Sequence, residues 1–282
     1  MTTIASAPAE AAPPRVRSDV PFVAALIILG GVYIVLIVAM LLAKASFTSP
    51  GHLEAALGSP EIRYAIKLSL ISCSMTTILS LWVAVPLGYL MSRFEFRGKH
   101  LLDAIIDIPI VLPPLVVGLA LLILFQTRPG RWIEENVLTV TFAVPSVILA
   151  QFTVACAFAV RTMRVTFDQI NPRQEQVALT LGCSRSQAFW LVVLPEARRG
   201  LVTAATLAWA RSLGEFGPIL VFSGATRMRT EVLPTTVFLE LSIGNIEAAV
   251  AVSLLMVLAA VTVLIILRRA GAEASLGKVL RP

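Results

Sequence analysis

Polar residues along this chain come in short clusters separated by long apolar runs, and the runs have the length that a bilayer-crossing helix needs. A hydrocarbon core about 30 Å thick takes roughly 20 mostly apolar residues in helix. Six stretches qualify: 21–43, 64–91, 101–125, 138–163, 201–222 and 246–267. The pattern predicts an all-α, polytopic membrane protein with about six transmembrane helices. Its parts are a tail over 1–20, a first transmembrane helix over 21–43, a core over 64–267 with five further helices, and a tail over 268–282. Most connections are short, and the piece from Arg161 to Gly200 is the one sizeable segment outside the spans.

Prolines interrupt several spans: Pro86 in the second, Pro109 with Pro113 and Pro114 in the third, and Pro145 in the fourth. Each removes a helical N–H donor, and a carbonyl freed in lipid must find a partner in a neighbouring helix or face a watery cavity. The 108–114 stretch is therefore expected to lie buried against other spans, as a packing kink or as a hinge.

Composition agrees with the spans. With 57% apolar and 14% charged residues in 282, and a mean hydropathy of +0.86, the chain has more apolar surface than one core under a charged shell can enclose. The net charge of +6 does not point to nucleic acid, because the basic residues are scattered between apolar runs and form no stripe with interleaved aromatics. Residues 1–20 are polar and Pro/Ala-rich, and the run that follows is too long for the apolar region of a cleavable signal, so it reads as a span. Cys73, Cys156 and Cys183 form no CxxC motif and read as small apolar fillers. His52 and His100 lie far apart, so no metal site is argued and no cofactor is expected.

Orientation follows from Lys and Arg, which are retained on the cytoplasmic side during insertion. With the N-terminus inside, Arg15, Arg17, Arg93, Arg97, Lys99, the arginines between Arg161 and Arg199, and the basic C-terminal tail all fall inside. They outnumber the basic residues on the other side by about two to one, which favours both termini in the cytoplasm.

The cytoplasmic segment 168–196 has its own helix signals. Asn171-Pro172 is a helix start with Glu175 in the first turn, and Gly182 is a breaker. A second short helix is expected from Ser184 to Val193, ended by Leu194-Pro195. Two short helices with small residues at the turn and aromatics such as Trp190 suit docking into a cleft of another protein, and equally an amphipathic loop resting on the membrane.

A resemblance favours docking. Gln176-Val177-Ala178, three residues, Gly182, nine residues, then Val192-Val193-Leu194-Pro195 resembles the EAA loop of ABC importer permeases. The departures are Gln176 for Glu, Val177 for the first Ala and Val192 for Ile, and Glu175 stands next to the missing acid. The resemblance covers nearly all of 64–267. Residues 106–122 and 210–241 are similar to the oxyanion branch, the molybdate, tungstate and sulfate transporters. It implies a type I importer permease fold in the inner membrane, with the loop acting as a coupling helix through Glu175, Gln176, Ala178, Gly182, Leu194 and Pro195. It also implies a cytoplasmic ATPase dimer, an extracytoplasmic solute-binding protein and a second permease subunit, in a homodimer or close heterodimer.

One charged pair falls inside a span. Arg211 lies about ten residues into the fifth stretch, roughly 15 Å deep, and Glu215 follows at i+4 on the same face. The pair either neutralises itself and holds helices together, or borders the translocation path or its gate, since intramembrane charges usually face a cavity. Gly214, Gly217 and Pro218 beside it permit close packing or bending. Arg227 and Arg229 are expected outside the membrane, either solvated or facing a binding protein or the emerging anion.

No catalytic motif is present. Gly271 and Gly277-Lys278 have five intervening residues where a P-loop has four, and Val279 replaces the magnesium-binding Ser or Thr, so the chain is not expected to hydrolyse ATP. No GxSxG elbow occurs. A gradient-driven transporter would need more intramembrane acids than Glu215 with Asp103 and Asp107 at a span edge.

Overall fold

The computed structural model describes residues 20–279, and the expectations for 1–19 and 280–282 lie outside them. Every element among the described residues is helical. The chain divides into two units, Met1–Ser46 and Phe47–Pro282. The first contributes α1 (Val20–Phe47), a helix of 28 residues whose apolar side chains are exposed along its length.

The second unit opens with α2 (Pro50–Gly58), a short helix capped by Ser49. In α3 (Pro60–Arg93), Ser59 caps the N-terminus and Pro60 occupies the first turn, so the helix starts before the expected residue 64. Its two faces invert the soluble pattern. Ser69, Ser72, Thr76 and Ser80 recur every three or four residues on the buried side, while Ile71, Met75, Ile78 and Trp82 recur on the exposed side. Small polar residues let helices approach closely in lipid, and the large apolar ones face the lipid itself.

The third expected span is two helices, α4 (Lys99–Val111) and α5 (Pro114–Gln126), meeting at 112°. Pro113 and Pro114 are the cause. Each disfavours the helical region for the residue before it, and Leu112 and Pro113 accordingly have ψ of 140° and 135°. Pro109, by contrast, is accommodated inside α4, and Pro86 inside α3. After α6 (Arg128–Asn136), the chain enters α7 (Val144–Gln169). Pro145 does not interrupt this span. It sits in the first turn, where the missing N–H would be unpaired anyway, so the helix begins at Val144 and not at 138.

Beyond α7 come α8 (Pro172–Thr180) and α9 (Arg185–Ala188), which runs on through a π-helical turn, Phe189–Val193, into α10 (Leu194–Glu196). The fifth expected span, 201–222, is also broken: α11 (Arg198–Leu213) stops at Gly214, and α12 (Gly217–Phe222) restarts with Pro218 in its first turn. Two helices complete the chain, α13 (Leu233–Ser242) and α14 (Ile246–Val279). The last stays helical past the expected boundary at 267.

Among the described residues, four helices are long and apolar enough to cross a bilayer, and a fifth is counted if α4 and α5 form one broken span. The stretch at 201–222 lacks one continuous helix of that length. The core is alanine-rich where α3, α7 and α11 meet, through Ala84, Ala155, Ala159, Ala204 and Ala208. Gly88 continues this close approach, since a Cβ there would lie 2.9 Å from Met163 Cβ.

Candidate translocation and coupling sites

The segment after α7 forms the expected short helix, glycine turn and second helix. The Asn171 side chain accepts from the Arg173 N–H at the start of α8. At its end Gly182 has φ +91°, and Cys183 N–H reaches back to Ala178 O at 3.1 Å, the hydrogen bond of a left-handed helix stop. Ser184 and Gln187 form a reciprocal capping box on α9. The expected stop at Leu194-Pro195 does not occur. Proline is tolerated in the first turn of α10, so the helical path continues through both residues to Glu196.

The loop residues separate into three directions. Glu175 turns inward: its carboxylate accepts a hydrogen bond from the Tyr89 hydroxyl at 2.5 Å and lies 3.3 Å from Arg93 Nε. Arg93 also donates to Ile170 O at 2.9 Å, and the Tyr89 ring packs edge-on against Phe94, Phe167 and Phe189. Gln176, Val177 and Leu181 point to solvent, Leu181 with 80% exposure, while Ala178 is buried beneath them. Trp190 and Leu194 instead line an apolar groove with Trp82 and Pro86 of α3, continuing that helix's lipid-facing side.

The second constellation lies where α11 breaks. Arg211 Nη1 stands 2.7 Å from Glu215 Oε1, and its guanidinium lies 5.7 Å from the centre of the Phe158 ring. The Glu215 side chain is 1% exposed and Arg211 30%. The approach is an ion pair without hydrogen-bond alignment. Gly217 does not face a cavity. It packs on the α4–α5 corner, where an added Cβ would meet Pro114 Cβ at 2.8 Å, and Gly118 meets Pro218 at 2.8 Å in return. The two broken spans thus cross through reciprocal glycine–proline contacts.

A buried polar layer beside this break was not anticipated. Gln151 of α7 donates to Ser212 O at 3.2 Å and lies within 3.2 Å of Thr76, which donates to it. The Ser69–Ser72–Thr76–Ser80 spacing was the available signal for that layer. Ser69 itself accepts from the Leu233 N–H at 2.8 Å, tying α13 to α3.

Several further charges are paired. Asp107 and Asp103 of α4 pair with Arg161 and Arg164 of α7, which neutralises the acids at that span edge. Arg227 pairs with Glu240 at 2.8 Å, and Asn245 donates to the other Glu240 oxygen. Glu231 is fully buried between these groups, and burial pushes its carboxyl above the ordinary range. No cluster of metal-ligating side chains occurs among the described residues.

Residues 84–272 match the family model of the binding-protein-dependent transport system inner membrane component. The sulfate transport system permease protein CysT of Escherichia coli is 33% identical over 197 residues, covering 69% of this chain and 71% of that protein. The molybdenum transport system permease protein ModB of Mycobacterium tuberculosis is 34% identical over 213 residues, covering 75% and 80%. The molybdate/tungstate permease WtpB of Pyrococcus abyssi is 36% identical over 162 residues, covering 57% and 61%. A chain in the crystal structure of a bacterial alginate ABC transporter, in complex with an alginate pentasaccharide-bound periplasmic protein, superposes with a TM-score of 0.71 at 16% identity, covering 88% of this chain and 93% of that one. The fold is that of a type I ABC importer permease. The chain belongs to the inner-membrane permease family of binding-protein-dependent transport systems.

Proposed function

We propose that this chain is the permease subunit of an ATP-driven importer for an oxyanion, sulfate, molybdate or tungstate. The observation that carries this reading is likeness at one third identity, over most of the chain, to permeases of sulfate and molybdenum systems. In this reading a second permease subunit completes the path, an ATPase dimer binds on the cytoplasmic side, and a binding protein delivers the anion from outside. Both termini lie in the cytoplasm, as the distribution of Lys and Arg supports.

Gln176, Val177 and Leu181 form the tip that enters the ATPase, and their exposure over the buried Ala178 supports this. Glu175 acts through Tyr89 and Arg93 as the tether between the tip and α3. Arg211 and Glu215 form a gate element at the break of the fifth span, and Gly217 provides the close crossing on which that break turns. Uptake of labelled sulfate or molybdate into proteoliposomes tests the proposal. Uptake that needs the ATPase subunit and ATP supports it. Uptake by the permease alone along an ion gradient overturns it.

A further inference from the structure

The apolar groove between α3 and the segment from α9 to α11 has a volume of 490 Å³. Ile78, Trp82 and Pro86 of α3 form one wall, and Trp190, Leu194 and Leu201 form the other. Among the described residues no carboxylate lines it. Ile78 and Trp82 belong to the exposed, apolar side of α3, so hydrocarbon is the content that suits these walls.

The end of the groove nearest the loop has a different chemistry. Trp190 is exposed, and its ring stands edge-on to Phe189 at 5.3 Å, within the π-helical turn Phe189–Val193. Such turns occur mostly at functional sites, and an indole favours the level of lipid headgroups, where its N–H finds a polar partner. Leu194, Arg198 and Leu201 follow at i, i+4 and i+7 and so form one helical stripe. The register holds across the joint between α10 and α11, because Ala197 N–H donates to Val193 O at 2.9 Å and Leu201 N–H donates to Ala197 O at 2.8 Å. Leu194 and Leu201 line the groove, which places Arg198, between them, at its edge.

Arg198 is half-buried, and its guanidinium has no ion pair or hydrogen bond among the described residues. The nearest acid in sequence, Glu196, lies on the opposite side of the helix. There it lines the cavity against α7 together with Arg199, and neither of these two is without a partner. An unpaired planar fork of N–H donors at the mouth of an apolar groove fits a phosphate that carries an acyl chain, and basic sites between membrane helices take such headgroups.

We propose that this groove binds an anionic phospholipid from the leaflet on the loop's side. One acyl chain lies between Trp82 and Leu201, and the phosphate meets the Arg198 guanidinium and the Trp190 N–H. The lipid then fills the space between α3 and the second limb of the loop. Charge decides the occupant: a zwitterionic lipid fits the same walls, but its ammonium offsets the attraction to a lone guanidinium. The site holds whichever solute the chain carries.

The test places the full chain in nanodiscs of phosphatidylcholine with phosphatidylglycerol, and native mass spectrometry reads which lipid the released protein retains. Wild type should retain phosphatidylglycerol in preference. Arg198→Gln should lower that retention by about fivefold, and Arg198→Lys should restore part of it. Ile78→Trp, which fills the apolar end without touching a charge, should lower retention of both lipids, while Arg97→Gln in the exposed 92–100 loop should change neither. Arg198→Lys and Ile78→Trp decide the matter if Arg198→Gln fails to fold. Equal retention of the two lipids by wild type overturns the proposal, as does undiminished phosphatidylglycerol in Arg198→Gln and Ile78→Trp. Groove variants that dissociate a dimer of this chain while lipid retention stays the same assign the groove to a second copy and overturn it as well.

Discussion

Glu175 on α8 and Tyr89 near the end of α3 are joined by a 2.5 Å hydrogen bond, with Arg93 3.3 Å from the same carboxylate. The 168–196 loop is therefore fastened to a membrane helix by the residue next to Gln176, the position where the EAA-loop motif carries an acid. Glu175→Ala strands Arg93 and the Tyr89 hydroxyl in a half-buried setting, a loss of about 1–3 kcal/mol. Amide hydrogen exchange over residues 172–196 should accelerate, while membrane insertion is unchanged. Tyr89→Phe, which removes one neutral donor, should produce a smaller change in the same direction.

Gly182 carries the turn between the two limbs of the loop at φ +91°. A side chain in the left-handed region costs about 1–2 kcal/mol, and nothing lies within 4 Å of the Cβ position, so the penalty is conformational and not a clash. Gly182→Leu should insert normally and lose co-purification with the ATPase. Unchanged co-purification would remove the docking role of the loop.

The Arg211–Glu215 pair predicts an asymmetry between single and double variants. Arg211→Gln leaves Glu215, 1% exposed, without its partner, and breaking a buried pair from one side costs about 3–5 kcal/mol. The Arg211→Gln/Glu215→Gln double variant should therefore retain more transport and a higher melting temperature than Arg211→Gln alone. Equal loss in both would mean that Arg211 acts on the anion directly.

Where α5 and α12 cross, Gly118 and Gly217 admit no methyl group without movement of Pro218 and Pro114. Gly217→Ala should lower the melting temperature, at an overpacking cost of about 1–3 kcal/mol. Gly118→Ala should do the same from the other side of the crossing. Differential scanning fluorimetry in detergent measures both.

Glu231 sits in the loop before α13 with its carboxyl pushed above the ordinary range by burial. A raised folded-state value means that the stability it allows is complete at low pH and declines as pH rises through that value. Wild-type protein should therefore lose thermal stability on going from acidic to neutral pH, and Glu231→Gln should flatten that slope. An identical pH profile in the variant would contradict the assignment.

The long apolar runs made the membrane helices legible, because length and apolarity alone distinguish 20-residue spans from core helices. The loop was legible for a different reason: Asn171, Pro172, Gly182 and Ser184 act through local backbone chemistry that needs no partner. The breaks were harder to read. Pro113-Pro114 bends a span through 112° while Pro86 is absorbed inside one, and the difference lies in the doubled proline and in what packs on it. The inward turn of Glu175 and the Gln151–Ser212 contact depend on residues far away in sequence, so periodicity could not reveal them. The polar stripe from Ser69 to Ser80 lies on the buried face of α3, and that Gln151 and Leu233 meet it follows only from the packed helices.

ATP hydrolysis in liposomes that contain this permease with an ATPase subunit is the decisive measurement for the proposed oxyanion importer. The binding protein is added empty or loaded with sulfate, molybdate or tungstate. One loaded form should stimulate hydrolysis, and Gly182→Leu should abolish the stimulation. Absence of stimulation by all three loaded forms would contradict the oxyanion assignment.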